Sequence, residues 1–190
     1  FFTFFPGFYD VDVRLAEMEA AGVAFQVLSI APPMVFWADP DLGRALCQVF
    51  NDTLAAVVRA HPDRFVALAA LPLQDPPSAI RELERAVAEL GLKGLKLHPI
   101  HQAFFPNDDR FEPLWEKCSE LKLPVIIHSG FAAAGAGMPG GGGLRLKYAR
   151  PIPHIDDVAS APPDVTIVMA HPAWPWVDEQ VAVALHKPNV

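Results

Sequence analysis

Cysteine is nearly absent from this chain. Cys47 and Cys118 are the only two in 190 residues. They fall in separate helical patterns with no CxxC spacing, so neither a disulfide framework nor a zinc ribbon is encoded. A reducing, cytoplasmic setting is the expectation. Long apolar runs are missing too: hydrophobic residues make up 52% of the chain, yet no run approaches the ~20 residues that span a bilayer. Basic charge is scarce. Fifteen Lys and Arg against 22 Asp and Glu leave a formal charge of -7, which argues against nucleic acid or an anionic membrane as partner, because both select basic patches. A small-molecule substrate fits that balance better. The glycine run 140–143 lacks the Gly-Lys-Ser/Thr ending of a phosphate loop and opens no helix, so it reads as a lid over a pocket.

The ends lack punctuation as well. No initiator Met precedes Phe1-Phe2-Thr3-Phe4-Phe5-Pro6, and no secretory signal follows it. The last residues, Pro188-Asn189-Val190, read as a strand about to begin. The expectation is one partial domain over residues 1–190, the interior of a longer protein.

What is present is an alternation of helix and strand. Helices are predicted over about Val11 to Ala21, Asp41 to Ala60, Pro77 to Leu90, Glu112 to Leu121, Ile155 to Ala161 and Val177 to His186. Strands fall at 23–30, 65–73, 93–98, 124–128 and 165–170, with Ala31-Pro32-Pro33 breaking the first. Strands separated by helices imply right-handed crossovers and a parallel sheet. A doubly wound sheet and a (β/α)8 barrel both satisfy this. Five units in 190 residues project to eight near the usual ~250 of a barrel, so an incomplete TIM-type α/β barrel of about five strands and six helices is favoured.

Three of those strands end alike, in Leu97-His98-Pro99, Ile127-His128-Ser129 and Ala170-His171-Pro172. In a parallel α/β fold the carboxyl ends of the strands converge on the catalytic pocket, so imidazoles gathered there point to metal or acid/base chemistry. Period-2 alternation places Lys96 on the inward face with His98, Ile126 with His128, and Ile167 and Met169 with His171. Apolar columns beneath the rings favour neutral imidazole, the form that binds a divalent cation. Three histidines could serve together as ligands of a hydrolytic zinc site, or one or two could bind metal while another moves a proton. Spacing does not separate these readings.

Residues 91–99 (GLKGLKLHP) with Gln102, 121–130 (LKLPVIIHSG), 165–171 (VTIVMAH) and the closing helix before HKPNV, in that order, resemble consecutive segments of the amidohydrolase-related family. The stretch Leu15 to Pro33 is similar to that family's second helix-strand unit. The family includes metal-dependent hydrolases and the aminocarboxymuconate-semialdehyde decarboxylase group. The resemblance implies that His128 is a ligand of a divalent metal, zinc or else manganese, that His171 is the catalytic or water-orienting residue, and that His98 lines the pocket. The family's His-x-His pair on the first strand and aspartate after the eighth have no counterpart in this chain.

Other polar and aromatic residues are read beside these. His101 either touches substrate or is a solvated loop residue. His61 and His186 end helices, where a cationic ring complements the dipole. Lys96 resembles the carboxylated lysine of binuclear relatives but, one step deeper in the barrel, reads rather as a structural or substrate-charge partner. Arg145, Lys147 and Arg150 either draw in a carboxylate-bearing substrate or form a solvated basic stretch. Phe104, Phe105, Trp174 and Trp176 are candidates for an aromatic wall, with core packing as the alternative.

The leading expectation is a metal-dependent hydrolase acting through a metal-activated water. The alternatives are a non-oxidative decarboxylase on the same scaffold and an inactive remnant serving as a binding module. Because an unclosed barrel leaves strand edges open, association into a homo-oligomer or with further segments is also expected.

Overall fold

Aspartates and prolines set the helix starts. In a computed structural model describing residues 5–32, 34–160 and 164–190, the Asp10 carboxylate accepts hydrogen bonds from the Asp12 and Val13 N–H groups and opens α1, Val11–Ala20. Asp39 accepts from the Leu42 N–H at the start of α2, Pro40–Ala60. These side chains satisfy donors that the first helical turn leaves without a partner. Proline also stands in the first turn of α3, Pro76–Ala88, of α4, Pro99–Gln102, and of α5, Glu112–Glu120, where its missing N–H costs nothing. α6, His154–Ser160, and α7, Val177–His186, complete the set. Phe1 to Phe4, Pro33 of the expected break and Ala161 at the expected helix end lie outside the described residues.

All six expected helices form, and α4 is an addition, nucleated by Pro99 immediately after a strand. The five expected strands form too, but regular pairing is shorter than the apolar runs. They are β1, Gln26–Leu28; β2, Phe65–Ala67; β3, Leu95–Leu97; β4, Val125–His128; and β5, Ile167–Ala170. The run 65–73 shows why. Leu68, Ala69, Ala70, Leu71 and Leu73 are all buried, yet beyond Ala67 only Ala69 makes a strand-type bridge, to Leu95. Apolar character reports burial, and burial does not require a ladder.

Every pairing is parallel. β1 pairs with β2, and β3 with β4 and β4 with β5. The two sheets are joined where the Lys93 N–H donates to the Ala67 carbonyl and the Ala69 N–H to the Gly94 carbonyl, at 2.9 and 2.8 Å. The spatial order is therefore the chain order, with no reversal of direction. A doubly wound sheet needs such a reversal and a barrel does not, so the five units form an incomplete TIM-type barrel.

The two faces of the strands differ in burial. Phe65, Ala67, Leu95, Leu97, Val125, Ile127 and Ile167 are buried and join Leu83, Leu114, Cys118 and Ile155 in the main core beneath the helices. Val27, Val66, Lys96, Ile126 and Val168 alternate with them and face the barrel interior, where they are half-buried or exposed. Lys96, Ile126 and Val168 are in register across three strands. This corrects the expected column on β5: Ile167 lies under the helices, and the inward residues are Val168 and Ala170.

Candidate active site

Three adjacent strands end on imidazole. His128 is the last residue of β4, and His98 directly follows β3 and leads into α4. Alternation along β5 would turn His171 away with Ile167. The backbone there takes φ 72°, in the left-handed region, and that turn swings the ring back to its neighbours. The His98 and His128 rings stack with centroids 3.9 Å apart and planes 14° apart. The His128 and His171 centroids are 4.9 Å apart. A fourth ring joins them: His101 packs edge-on against His98 at 4.3 Å.

Burial sets the charge of this cluster. Removal from water pushes His98 down to about 2, and the fields of His128, His101, Lys96 and His171 add to the effect. Burial likewise lowers His128 to about 4, with His171 next among the causes and a backbone hydrogen bond at Gly130 acting the other way. Desolvation also lowers His101 and Lys96. Two stacked imidazolium ions 3.9 Å apart would repel, so His98 and His128 are neutral at neutral pH. Nδ1 of His98 and Nε2 of His128 are buried without a hydrogen-bond partner. A buried polar atom left unpaired is costly unless something binds it. Gln102, which follows the β3 motif by four residues from His98, accepts from the His98 N–H at 2.6 Å and braces the turn.

The free Nε2 of His128 fits a cation ligand, being neutral, buried and without a hydrogen-bond partner. Among the described residues, however, no three His, Cys, Asp or Glu side chains are grouped as a cation site. This chain fits a metal as one donor of a larger set. Cys47 and Cys118 do not add to it, because burial pushes both thiols up to about 12 and keeps them protonated.

The remaining candidates are placed unequally. His101 is buried within α4 at 6% exposure, which excludes the solvated-loop alternative. Trp174 is exposed on the same rim and packs edge-on against Phe131 at 5.7 Å. Gly130, φ 81°, permits this approach: a Cβ there would lie 2.4 Å from Ala173 Cα, and the next residue, Phe131, donates its N–H to the Trp174 carbonyl at 2.7 Å. Arg145 is exposed ahead of the 3-10 turn Leu146–Ala149 and is not joined to the histidines. Arg150 pairs with Glu179 on α7, and Lys147 lies over the Phe105 ring. Phe104 is core, packed on Phe111, which removes it from the expected aromatic wall. His61 caps α2 and His186 ends α7, the helix-end positions expected of them. Sequence reasoning passed over Ser29, whose hydroxyl accepts from Lys96 Nζ at 3.2 Å. Its signal was alternation, since it lies two residues beyond inward-facing Val27.

A histidine-bearing rim at the carboxyl ends of parallel barrel strands defines a class, and the amidohydrolase family matches residues 4–190. The chain belongs to that family. Its similarities within it include several decarboxylases and a 2-keto-4-carboxy-3-hexenedioate hydratase of Sphingobium. It is 39% identical over 121 residues to the 2-amino-3-carboxymuconate-6-semialdehyde decarboxylase of Dictyostelium discoideum, covering 63% of this chain and 34% of that protein. The 5-carboxyvanillate decarboxylase of Novosphingobium aromaticivorans, solved with manganese and 4-hydroxy-3-methoxy-5-nitrobenzoic acid, superposes with a TM-score of 0.73 at 26% identity, covering 92% of this chain and 51% of that one. A TIM-barrel protein of Bordetella bronchiseptica superposes at 0.68 with 28% identity, covering 95% and 57%. The chain spans between about a quarter and somewhat under half of the length of the curated relatives it matches.

Proposed function

We propose that this chain is the histidine-bearing segment of a metal-dependent, non-oxidative decarboxylase acting on a small ring-bearing or conjugated carboxylate. The observation that carries this is the cluster itself: His128 presents a buried, unpartnered Nε2, stacked on His98 and 4.9 Å from His171. Hydrolysis stood first on sequence grounds, but the relatives' names support loss of a carboxyl group instead. Four imidazoles drawn together also argue against an inactive remnant.

His128 would hold the cation, manganese before zinc given the relative that contains it. When bound, such an ion supplies Lewis-acid attraction for an acidic oxygen of the substrate. His171, exposed beside the buried pair, would move the proton. As the bond between the carboxyl carbon and its neighbour breaks, CO2 leaves, and an imidazole nitrogen of His171 delivers a proton to the electron pair that remains. Neutral His98 and His101 wall the pocket and exclude water, and Trp174 offers a ring face at its mouth. Arg145 adds a long-range attraction for acidic substrates. A small molecule rather than nucleic acid or membrane is the partner, consistent with the charge of -7. No helix among the described residues is long and apolar enough to cross a membrane, and a cytoplasmic setting is supported by two free, buried cysteines.

The test uses the full-length protein, elemental analysis for metal, and CO2 release from 5-carboxyvanillate and related acids. His128→Ala should lose metal and turnover together. His171→Ala should keep the metal and lose turnover by ~10²-fold or more. Full metal and full turnover in both variants, or amide hydrolysis without CO2 release in the wild type, would overturn the proposal.

A further inference from the structure

Beneath the imidazole rim lies a cation that makes no ion pair among the described residues. Lys96 sits on the inward face of β3, two residues below His98, and is half-buried. Its Nζ donates to the Ser29 hydroxyl at 3.2 Å. Ser29 follows β1, so the two residues come from alternate strands, which in a TIM-type barrel fill one layer of the interior. The amine therefore reaches past β2 toward the end of β1, one layer below His98, and its field reaches the His98 and His128 rings.

Arg64, Arg85, Arg150, Lys117 and Lys187 all meet carboxylates, whereas among the described ion pairs Lys96 has none. A half-buried ammonium held by a single neutral hydroxyl is poorly compensated for the water it has lost. The buried histidines beside it, His98 and His128, are neutral, burial holding both well below the ordinary imidazole value. An anion is the ligand that compensates this charge.

We propose that Lys96, braced by Ser29, forms a carboxylate-binding subsite at the floor of the pocket that takes a second acidic group of the substrate, distinct from the carboxyl that is lost. The subsite selects dicarboxylate or carboxyl-substituted phenol substrates over monoacids of the same ring. This rests on the decarboxylase reading for the identity of the reacting group, but the subsite is testable without turnover. Lys rather than Arg suits the position, because a compact ammonium on a flexible stem fits a narrow interior layer.

The experiment is calorimetric titration of the metal-loaded full-length protein with two non-reacting probes, 4-hydroxy-3-methoxy-5-nitrobenzoic acid and 2-methoxy-6-nitrophenol, which lacks the carboxylate. The wild type should prefer the acid by about 10- to 100-fold, the range of a hydrogen bond to a charged group. Lys96→Met should bring that ratio close to one without changing affinity for the phenol. Lys96→Arg should restore part of the preference, and Ser29→Ala should lower it by a smaller factor. Metal content and melting temperature of each variant are measured in parallel. An unchanged ratio in Lys96→Met overturns the subsite, as does loss of metal from that variant, which would place Lys96 in the metal's surroundings instead. If the ratio collapses while the wild type releases no CO2 from any acid, the subsite stands and the decarboxylase reading falls. If the wild type releases CO2 and the ratio is indifferent to Lys96, the decarboxylase reading stands and the subsite falls.

Discussion

At His171 the backbone adopts φ 72°, a conformation that Asn, Asp and His tolerate better than other non-glycine residues. Two functions meet at that residue, the turn and the ring, and two substitutions separate them. His171→Asn should keep the fold within ~0.5 kcal/mol, because Asn adopts the left-handed region easily and the side chain is exposed. His171→Val should cost ~1–3 kcal/mol, because a β-branched residue is strained there. Chemical denaturation reads the difference, and both variants should lack turnover. A valine variant as stable as wild type would show that the strain is not stored at this turn. Gly130 gives a sharper case. A methyl group at 2.4 Å from Ala173 Cα cannot be accommodated without moving backbone, so Gly130→Ala should destabilise by at least ~2 kcal/mol. The three rim histidines were legible in sequence because each closes an apolar run. The swing of His171 was not, because alternation predicts the wrong face and only the turn corrects it.

Helices and strands are held together here by polar contacts that leave no periodic trace. Asn51 on α2 is fully buried. Its amide donates to the Ala70 carbonyl at 3.0 Å and to Glu82 on α3 at 2.7 Å, while its oxygen accepts from the Ala70 N–H at 2.8 Å. One side chain thus replaces the ladder that β2 abandons after Ala67, which is why the apolar run 65–73 overstated the strand. Removing it leaves a buried N–H, a buried carbonyl and the Glu82 carboxylate short of partners. Asn51→Ala should therefore cost ~2–4 kcal/mol by urea unfolding, and a cost below ~1 kcal/mol would mean water takes over the role. A second link ties the segment after β4 to α7, where the Arg150 guanidinium holds the Glu179 carboxyl below its ordinary value. A carboxyl lowered in the folded state contributes stability that is complete above its unfolded pKa, about 4.3, and is lost as pH falls through the lower folded value. Glu179→Gln should remove that part of the acid dependence below about pH 4.3 and change little at pH 7, since Arg150 is half-exposed and a solvent-screened pair is weakly stabilising. Thermal melts across pH 3 to 7 check it.

For the molecule as a whole, the alternation of helix and strand was visible in sequence, but the order of strands in space was not. Periodicity describes one strand at a time, and order depends on hydrogen bonds between strands such as the Ala69–Gly94 contact that joins the two sheets. That sequential order leaves β1 and β5 at the ends of the five-strand arc. The end of the chain partly serves β5, since the Asn189 carbonyl accepts from the Ile167 N–H at 2.8 Å. β1 is barer, and the inward residues of the outer strands, Val27 and Val168, are 52% and 46% exposed. A half-open apolar interior flanked by a strand with unused N–H and C=O groups is a surface that other chains pair with. The 190-residue chain expressed by itself should therefore sediment as more than a monomer at roughly 50 μM, in the range where exposed edges associate. Val27→Lys with Val168→Lys should return it to the monomer, because charge on that face penalises its burial against another copy. Since the two substitutions lie on the inner face, away from the main core, they should leave the melting temperature of the helices almost unchanged. If the unsubstituted chain sediments as a monomer at that concentration, the exposed interior must be covered by the chain's own loops, and the arc would have to be narrower than the strand order implies.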